Sequence, residues 1–312
     1  MRGRLTAPVY SLILALLAWA PSINATPAAE RADVRAAKDC VASSTLPCRH
    51  SKGLLWKIER AGDKASYLFG TIHVSDPRVT TLPQPVQQAF DTAQSFTMEV
   101  IVDGAGLTHM AESMFFNDQR TLESTIGKER YAEIRHLFEV RKLPLNDLNK
   151  KKPWVIEMML STPAQAGLPL DFQLQLRATL QGKPTYGLEN IRDQIAVFDE
   201  LPMADQVSML EATLRYYRDT GALIEQMVQA YVARDLVRIM GLMDAPPGED
   251  RRLHEAVMER LLANRNVLMV QHMRARLDEG NAFIAVGAGH LAGPRGLLML
   301  LEQNGYRVSP VY

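Results

Sequence analysis

The sequence predicts an α/β fold, with α+β as its near variant: a central mixed sheet from N- and C-terminal strands, flanked by helices, with a helical insert in the middle. Three observations predict it. Short β-prone runs stand near both ends, within residues 53–102 and 282–311. The long span between them is dominated by apolar residues at three-and-four spacing, the helical period. Neither set of strands can bury its own faces alone, so the two must meet in one sheet.

The elements follow in order. Arg2 and Arg4 precede an acid-free apolar stretch, Val9–Ala20, then Pro21 and small residues to Ala25, the grammar of a secretory signal. Val9–Ala20 is too short for a spanning helix, which needs about 20 residues. Residues 1–25 are therefore expected to be a signal peptide, cleaved after Ala25 or Ala28, leaving an exported, periplasmic or secreted chain without a membrane span. Residues 26–52 form a mature N-terminal segment in which Cys40 and Cys48 are expected to close a disulfide loop, two free thiols being the alternative. Residues 53–312 form the domain.

Within it, Leu54–Glu59 and Ser66–Phe69 read as a hairpin around Ala61-Gly62-Asp63. Pro83–Ala93 reads as a helix with proline near its start, and Ser95–Val102 as a strand interrupted by Glu99. Helices are expected at Glu112–Phe116, Leu122–Leu143, Trp154–Leu160 and Leu168–Gln181, the last with Asp171 as a candidate cap. Pro184–Glu189 reads as a strand ending on an acid. Further helices span Asp193–Glu200, Met203–Thr220, Gly221–Met243 and Asp250–Glu279, punctuated by Pro202, Pro246-Pro247 and Gly248. Ala282–Val286 is a strand, Gly296–Asn304 a helix and Tyr306–Val311 a last strand.

Composition narrows the function. Lys+Arg and Asp+Glu each number 35, and without a basic run this balance argues against nucleic acid as the main partner. Two cysteines exclude a disulfide scaffold, a four-cysteine zinc module and an iron–sulfur site.

The chemistry-bearing pattern is one device used twice: an apolar strand running into Gly-x-x-His, at Gly70–His73 and again at Gly287–His290. Glycine there lets the backbone turn and expose the following side chains where α/β proteins place ligands. A neutral imidazole in that place is a metal ligand or a general base; the competing role is a hydrogen bond to a neighbouring loop. A third copy, Gly106–His109, reads as loop, so the tetrapeptide alone carries little. Glu99 and Glu189 stand in or at the end of apolar strands, where a carboxylate is costly to bury unless paired or metal-bound; a solvent-facing Glu99 is the alternative. Two histidines and two glutamates at four strand ends could bind one divalent metal, with Glu189 or Glu99 left as general base. His109, His136, His254 and His272 read as surface residues.

Several segments resemble the TraB/GumN family, in its GumN-like bacterial branch: Leu54–Ile58, Leu68–His73, Lys152-Pro153-Trp154, Gly187-Leu188-Glu189-Asn190 with Gln194 and Phe198-Asp199, Arg265-Asn266, and Phe283–Gly296 with Gly305–Val308. That family is similar to the Tiki metal-dependent proteases. The resemblance implies His73 and His290 as paired histidines with Glu99 and Glu189 as the acids, and adds Arg265 and Asn266. Asn190 stands where the family's Gly-Leu-Glu-Thr has threonine.

The expectation is an exported metal-dependent hydrolase acting on a peptide or protein substrate. His73, His290 and Glu99 would hold Mn²⁺, Co²⁺ or Zn²⁺; Glu189 would activate water, and Arg265 or Asn266 would position substrate. The alternative is a non-catalytic envelope binding protein for a metal, haem or a polysaccharide-related partner, using the same pocket.

Overall fold

Strands β1 (Leu55–Glu59) and β2 (Ser66–Thr71) form the expected hairpin, pairing antiparallel from Leu55–Phe69 to Ile58–Ser66 across a turn at Gly62 with φ of 92°. The remaining strands are β3 (Ser95–Val100), β4 (Thr185–Glu189), β5 (Ala282–Gly287) and β6 (Arg307–Pro310). All six make one mixed sheet in the order β4-β3-β5-β2-β1-β6. The pairs β4–β3, β3–β5 and β5–β2 are parallel, while β1 runs antiparallel to both β2 and β6. The strands from the two chain ends thus meet side by side, as an α/β fold requires. A computed structural model describes residues 49–162, 167–217, 220–244 and 250–312. The proposed signal, both cysteines and the cleavage positions lie outside the described residues.

Helices cover both faces, so β3 is buried along its whole length and β5 along all but its last residue. Phe69, Phe90, Phe96 and Phe283 pack as one aromatic cluster under the sheet, ring centroids 5.2 to 6.4 Å apart. The helices preceding β3 are α1 (Pro77–Thr80) and α2 (Gln84–Thr92). Beyond β3 the chain runs through α3 (Gly104–Ser113), α4 (Leu122–Ile126), α5 (Lys128–Val140), α6 (Pro153–Ser161) and α7 (Leu170–Leu180) to edge strand β4. It returns through α8 (Ile191–Asp199), α9 (Met203–Tyr216), α10 (Thr220–Val232), α11 (Leu236–Leu242), α12 (Arg251–Met258) and α13 (Asn264–Glu279) to β5. A last helix, α14 (Leu297–Gln303), leads to β6.

Four local readings are corrected. Gly106–His109 is helix, not loop, because the Asp103 side chain accepts the Gly106 N–H at 2.7 Å and starts α3. The expected helix over 122–143 is two, separated by Gly127 at φ 87°. The expected helix over 221–243 breaks at Arg234, with φ of 60°, and Asp235 then caps α11 through the Arg238 N–H. Asp171 caps nothing: Pro169 holds the cap position of α7, and Asp171 shares that helix's buried face with Leu170, Leu174 and Ala178. Between α12 and α13 the helix continues through a π-turn, Glu259–Ala263, a departure common beside functional sites.

Candidate active site

Strands β4, β3, β5 and β2 are neighbours and all point the same way, so their carboxyl ends line one edge of the sheet. In that order the edge presents Glu189, Glu99, the turn ending in His290, and the turn ending in His73. The two turns touch. A Cβ on Gly70 would stand 2.6 Å from Leu291 Cδ1 and 3.2 Å from Ala288 Cα, and one on Gly287 would stand 3.3 Å from Glu99 Oε1. Neither glycine has positive φ, so what each supplies is room for close approach.

The acids are held by one cation. Arg265, just past the π-turn, donates from Nη2 to Glu99 Oε2 and to Glu189 Oε2, each at 2.7 Å, and from Nε to both Glu189 oxygens at 3.0 Å. Its Nη1 donates to Leu261 O at 2.9 Å within the π-turn. Glu99 Oε1 accepts the Gly287 N–H at 2.7 Å, and Gln194 Nε2 lies 3.4 Å from both carboxylates. Glu99 is buried and does not face solvent. Burial raises its pKa, but the charges of His290, Arg265 and His73 and the Gly287 N–H outweigh that and hold it at about 2. At Glu189 the balance reverses: burial raises the pKa by more than the Arg265 charge and hydrogen bond lower it.

The histidines have different supports. His73 Nδ1 meets Asp171 Oδ2 at 2.7 Å, and the other Asp171 oxygen accepts the Thr71 hydroxyl. Burial lowers the His73 pKa, yet Asp171 and then Glu99 outweigh it, so the net shift is upward. His290 Nδ1 meets Asn266 Oδ1 at 2.6 Å, while Asn266 Nδ2 donates to Arg295 O at 2.8 Å. Burial pushes His290 down to about 3 against the opposing Glu99 charge. Both partners are acceptors, so both rings carry their proton on Nδ1 and keep Nε2 as the basic nitrogen; His290 Nε2 lies 3.7 Å from Glu99 Oε1.

The structure therefore gathers His73, His290, Glu99, Glu189, Arg265 and Asn266 at one edge; His73, Glu99, Arg265 and His290 line a cavity there, with Asn266 behind His290 and Glu189 behind Arg265. Sequence reasoning missed Asp171, Thr71 and Tyr231, whose hydroxyl donates to Gly70 O at 2.8 Å. An acid on the apolar face of α7 was the legible signal. The third Gly-x-x-His stands apart: His109 Nε2 meets Ser113 Oγ at 3.3 Å along its own helix.

Two imidazoles and a carboxylate suit a divalent cation in kind. Among the described residues no three His, Cys, Asp or Glu side chains stand close enough to hold one as they are; Arg265 already occupies three of the four oxygens of Glu99 and Glu189. Among the described residues no helix is long and apolar enough to cross a membrane.

The sequence profile of the TraB/PrgY/gumN family matches residues 54–310. The uncharacterized protein YbaP of Escherichia coli (strain K12) is 25% identical over 254 residues, covering 77% of this chain and 89% of that protein. Metalloprotease TIKI2 of Xenopus tropicalis is 24% identical over 310 residues, covering 82% of this chain and 59% of that protein. Metalloprotease TIKI1 of Homo sapiens is 24% identical over 310 residues, covering 82% and 61%. The chain thus spans about three-fifths of the Tiki relatives it matches. No solved structure matches it.

Proposed function

The chain belongs to the TraB/PrgY/gumN family, and from that premise we propose that it is an exported metal-dependent hydrolase cutting peptide bonds. The observation that carries this reading is the pair of histidines, each anchored through Nδ1, beside a buried carboxylate at the carboxyl edge of parallel strands. Metalloprotease relatives at 24% identity agree with it. Export rests on the signal-like residues 1–25, and the Cys40–Cys48 disulfide belongs to the same reading.

His73, His290 and Glu99 would hold Mn²⁺, Co²⁺ or Zn²⁺, which when bound would polarise a water or the scissile carbonyl. Asp171 and Asn266 fix the ring orientation of the two histidines. Glu189 would take the proton of the attacking water, burial raising its pKa by more than the Arg265 charge and hydrogen bond lower it. Arg265 keeps both acids in place, and one Nη1 hydrogen remains for a substrate oxygen. Asn266 acts through His290 rather than on substrate.

Elemental analysis of the mature protein tests the reading. About one divalent metal per chain is expected, lost in the His73→Ala/His290→Ala double variant, with peptide cleavage abolished in Glu189→Gln while metal is retained. No metal in the wild type, even after incubation with Mn²⁺, Co²⁺ and Zn²⁺, overturns it. Metal retained with no peptide cleaved would favour the non-catalytic binder.

A further inference from the structure

The cavity over the site has two unlike sides. Its charged groups, His73, Glu99, Arg265 and His290, all belong to the sheet edge and the start of α13. Facing them is a wall of Leu223 and Met227 on α10, Ile239 on α11, Met243 just beyond it, and Leu261 and Leu262 of the π-turn. Two further hydroxyls line the cavity: Ser161, which donates to Glu157 Oε1 at 2.9 Å, and Thr220, which is buried without a hydrogen-bond partner among the described residues.

This wall is built into the site. A Cβ on Gly289 would stand 3.0 Å from Met243 Sδ, 3.2 Å from its Cε and 3.8 Å from Leu262 Cδ2, so the glycine before His290 leaves the room these side chains fill. Helix α10 is tied to the end of β2 by the Tyr231–Gly70 hydrogen bond. It is tied again to the segment after His73 by Arg78, which donates to Glu225 at 2.7 and 2.9 Å and to Asp76.

We propose that this wall is a side-chain subsite: the substrate is a peptide that places a bulky apolar side chain, of the leucine, methionine or phenylalanine class, beside the bond to be cut. The inference rests on the hydrolase reading above and names its substrate class. A carboxylate or ammonium on the same side chain would lose its water with no charged partner on the wall. Two methionines make the surface adaptable in shape, which suits both unbranched and ring side chains. The Thr220 hydroxyl is placed to meet a peptide backbone group next to that side chain.

Binding, read without turnover, tests it. The mature protein carrying ¹³C-labelled methionine methyls is titrated with acetyl-leucine amide, acetyl-phenylalanine amide and acetyl-glutamate amide. Met227→Leu and Met243→Leu assign the two wall signals. Saturable shifts of both with the leucine and phenylalanine probes are expected, at affinities at least about tenfold above the glutamate probe. Equal response to the glutamate probe, or no shift at either methyl, overturns the subsite. Met243→Asp should abolish the Met227 shift while the remaining methyl spectrum and the metal content stay unchanged; a retained shift also overturns it. Selective shifts in a protein that binds no metal would refute the hydrolase and keep the subsite. A metal-loaded, cleaving protein without them would do the reverse.

Discussion

The two Gly-x-x-His turns share a tetrapeptide and a place at the sheet edge, and differ in what stands behind the ring. A carboxylate, Asp171, backs His73 and also accepts from Thr71. An amide, Asn266, backs His290 and is anchored on the backbone of Arg295. The pKa of His73 is raised, and that of His290 falls to about 3. The motif thus sets where an imidazole stands; burial lowers the pKa of both rings, and at His73 the Asp171 charge and hydrogen bond, with Glu99, outweigh it.

What both turns share is the anchored carboxylate Glu99, and the largest effect comes from removing its cation. Arg265→Ala would leave Glu99 and Glu189 buried and uncompensated, at a cost of about 3–5 kcal/mol in stability, read by denaturant unfolding. A loss under about 1 kcal/mol would place the pair in the class of exposed ion pairs and refute the burial argument.

Converting one support into the other sharpens the contrast. Asp171→Asn gives His73 an amide partner like that of His290, and its pKa should drop below 6.5 in the metal-free protein. Metal affinity should weaken about 10–100-fold, the usual cost of losing a ligand's orienting partner. Asn266→Asp should raise His290 in turn. Histidine titration by NMR reads both pKa changes, and unchanged values in either variant would remove the supports from the account.

The pH dependence of stability has opposite signs at the two rings. For His290 the folded pKa lies below the unfolded one, so between pH 6.5 and about 3 the unfolded chain takes up a proton that the folded ring refuses. Its contribution therefore falls as pH falls through that window. His73, raised, contributes below its unfolded pKa and loses that contribution as pH rises through its folded value. Melting curves of the metal-free protein should lose less stability between pH 6.5 and 4 in Asn266→Asp than in wild type; parallel curves would contradict the His290 assignment.

How far this arrangement was legible follows from local pattern. Strands with Glu99, Glu189, His73 and His290 in or just beyond them could be read because a short apolar run, a glycine and an acid in an apolar context are local signals. Asp171 could not be read as a partner by the capping rule, which looks at sequence position; its place among Leu170, Leu174 and Ala178 on one helical face is what turns it inward. One guanidinium holds both acids from just past the π-turn before α13, and apolar spacing reveals neither the turn nor the shared cation. The helix breaks at Gly127 and Arg234 lie inside unbroken helical patterns, so periodicity ran straight through them.

The smallest expected effect separates family resemblance from chemistry. Lys152-Pro153-Trp154 and Phe198-Asp199 carried the resemblance as clearly as the histidine turns did, yet they meet one another. Lys152 Nζ and Trp154 Nε1 both donate to Asp199 Oδ1, at 2.7 and 2.8 Å, and the Trp154 and Phe198 rings stack beside them. The Lys152–Asp199 pair is partly open to solvent, with side chains 18% and 24% exposed. Water therefore competes for both charges, and Lys152→Ala should cost at most about 1 kcal/mol. The pair locks the start of α6 to the end of α8 and touches neither histidine, so metal content and the titrations of His73 and His290 should not move. A shift of either histidine in Lys152→Ala would mean that the pair acts on the site through α8, which carries Gln194, and would extend the functional network beyond the sheet edge.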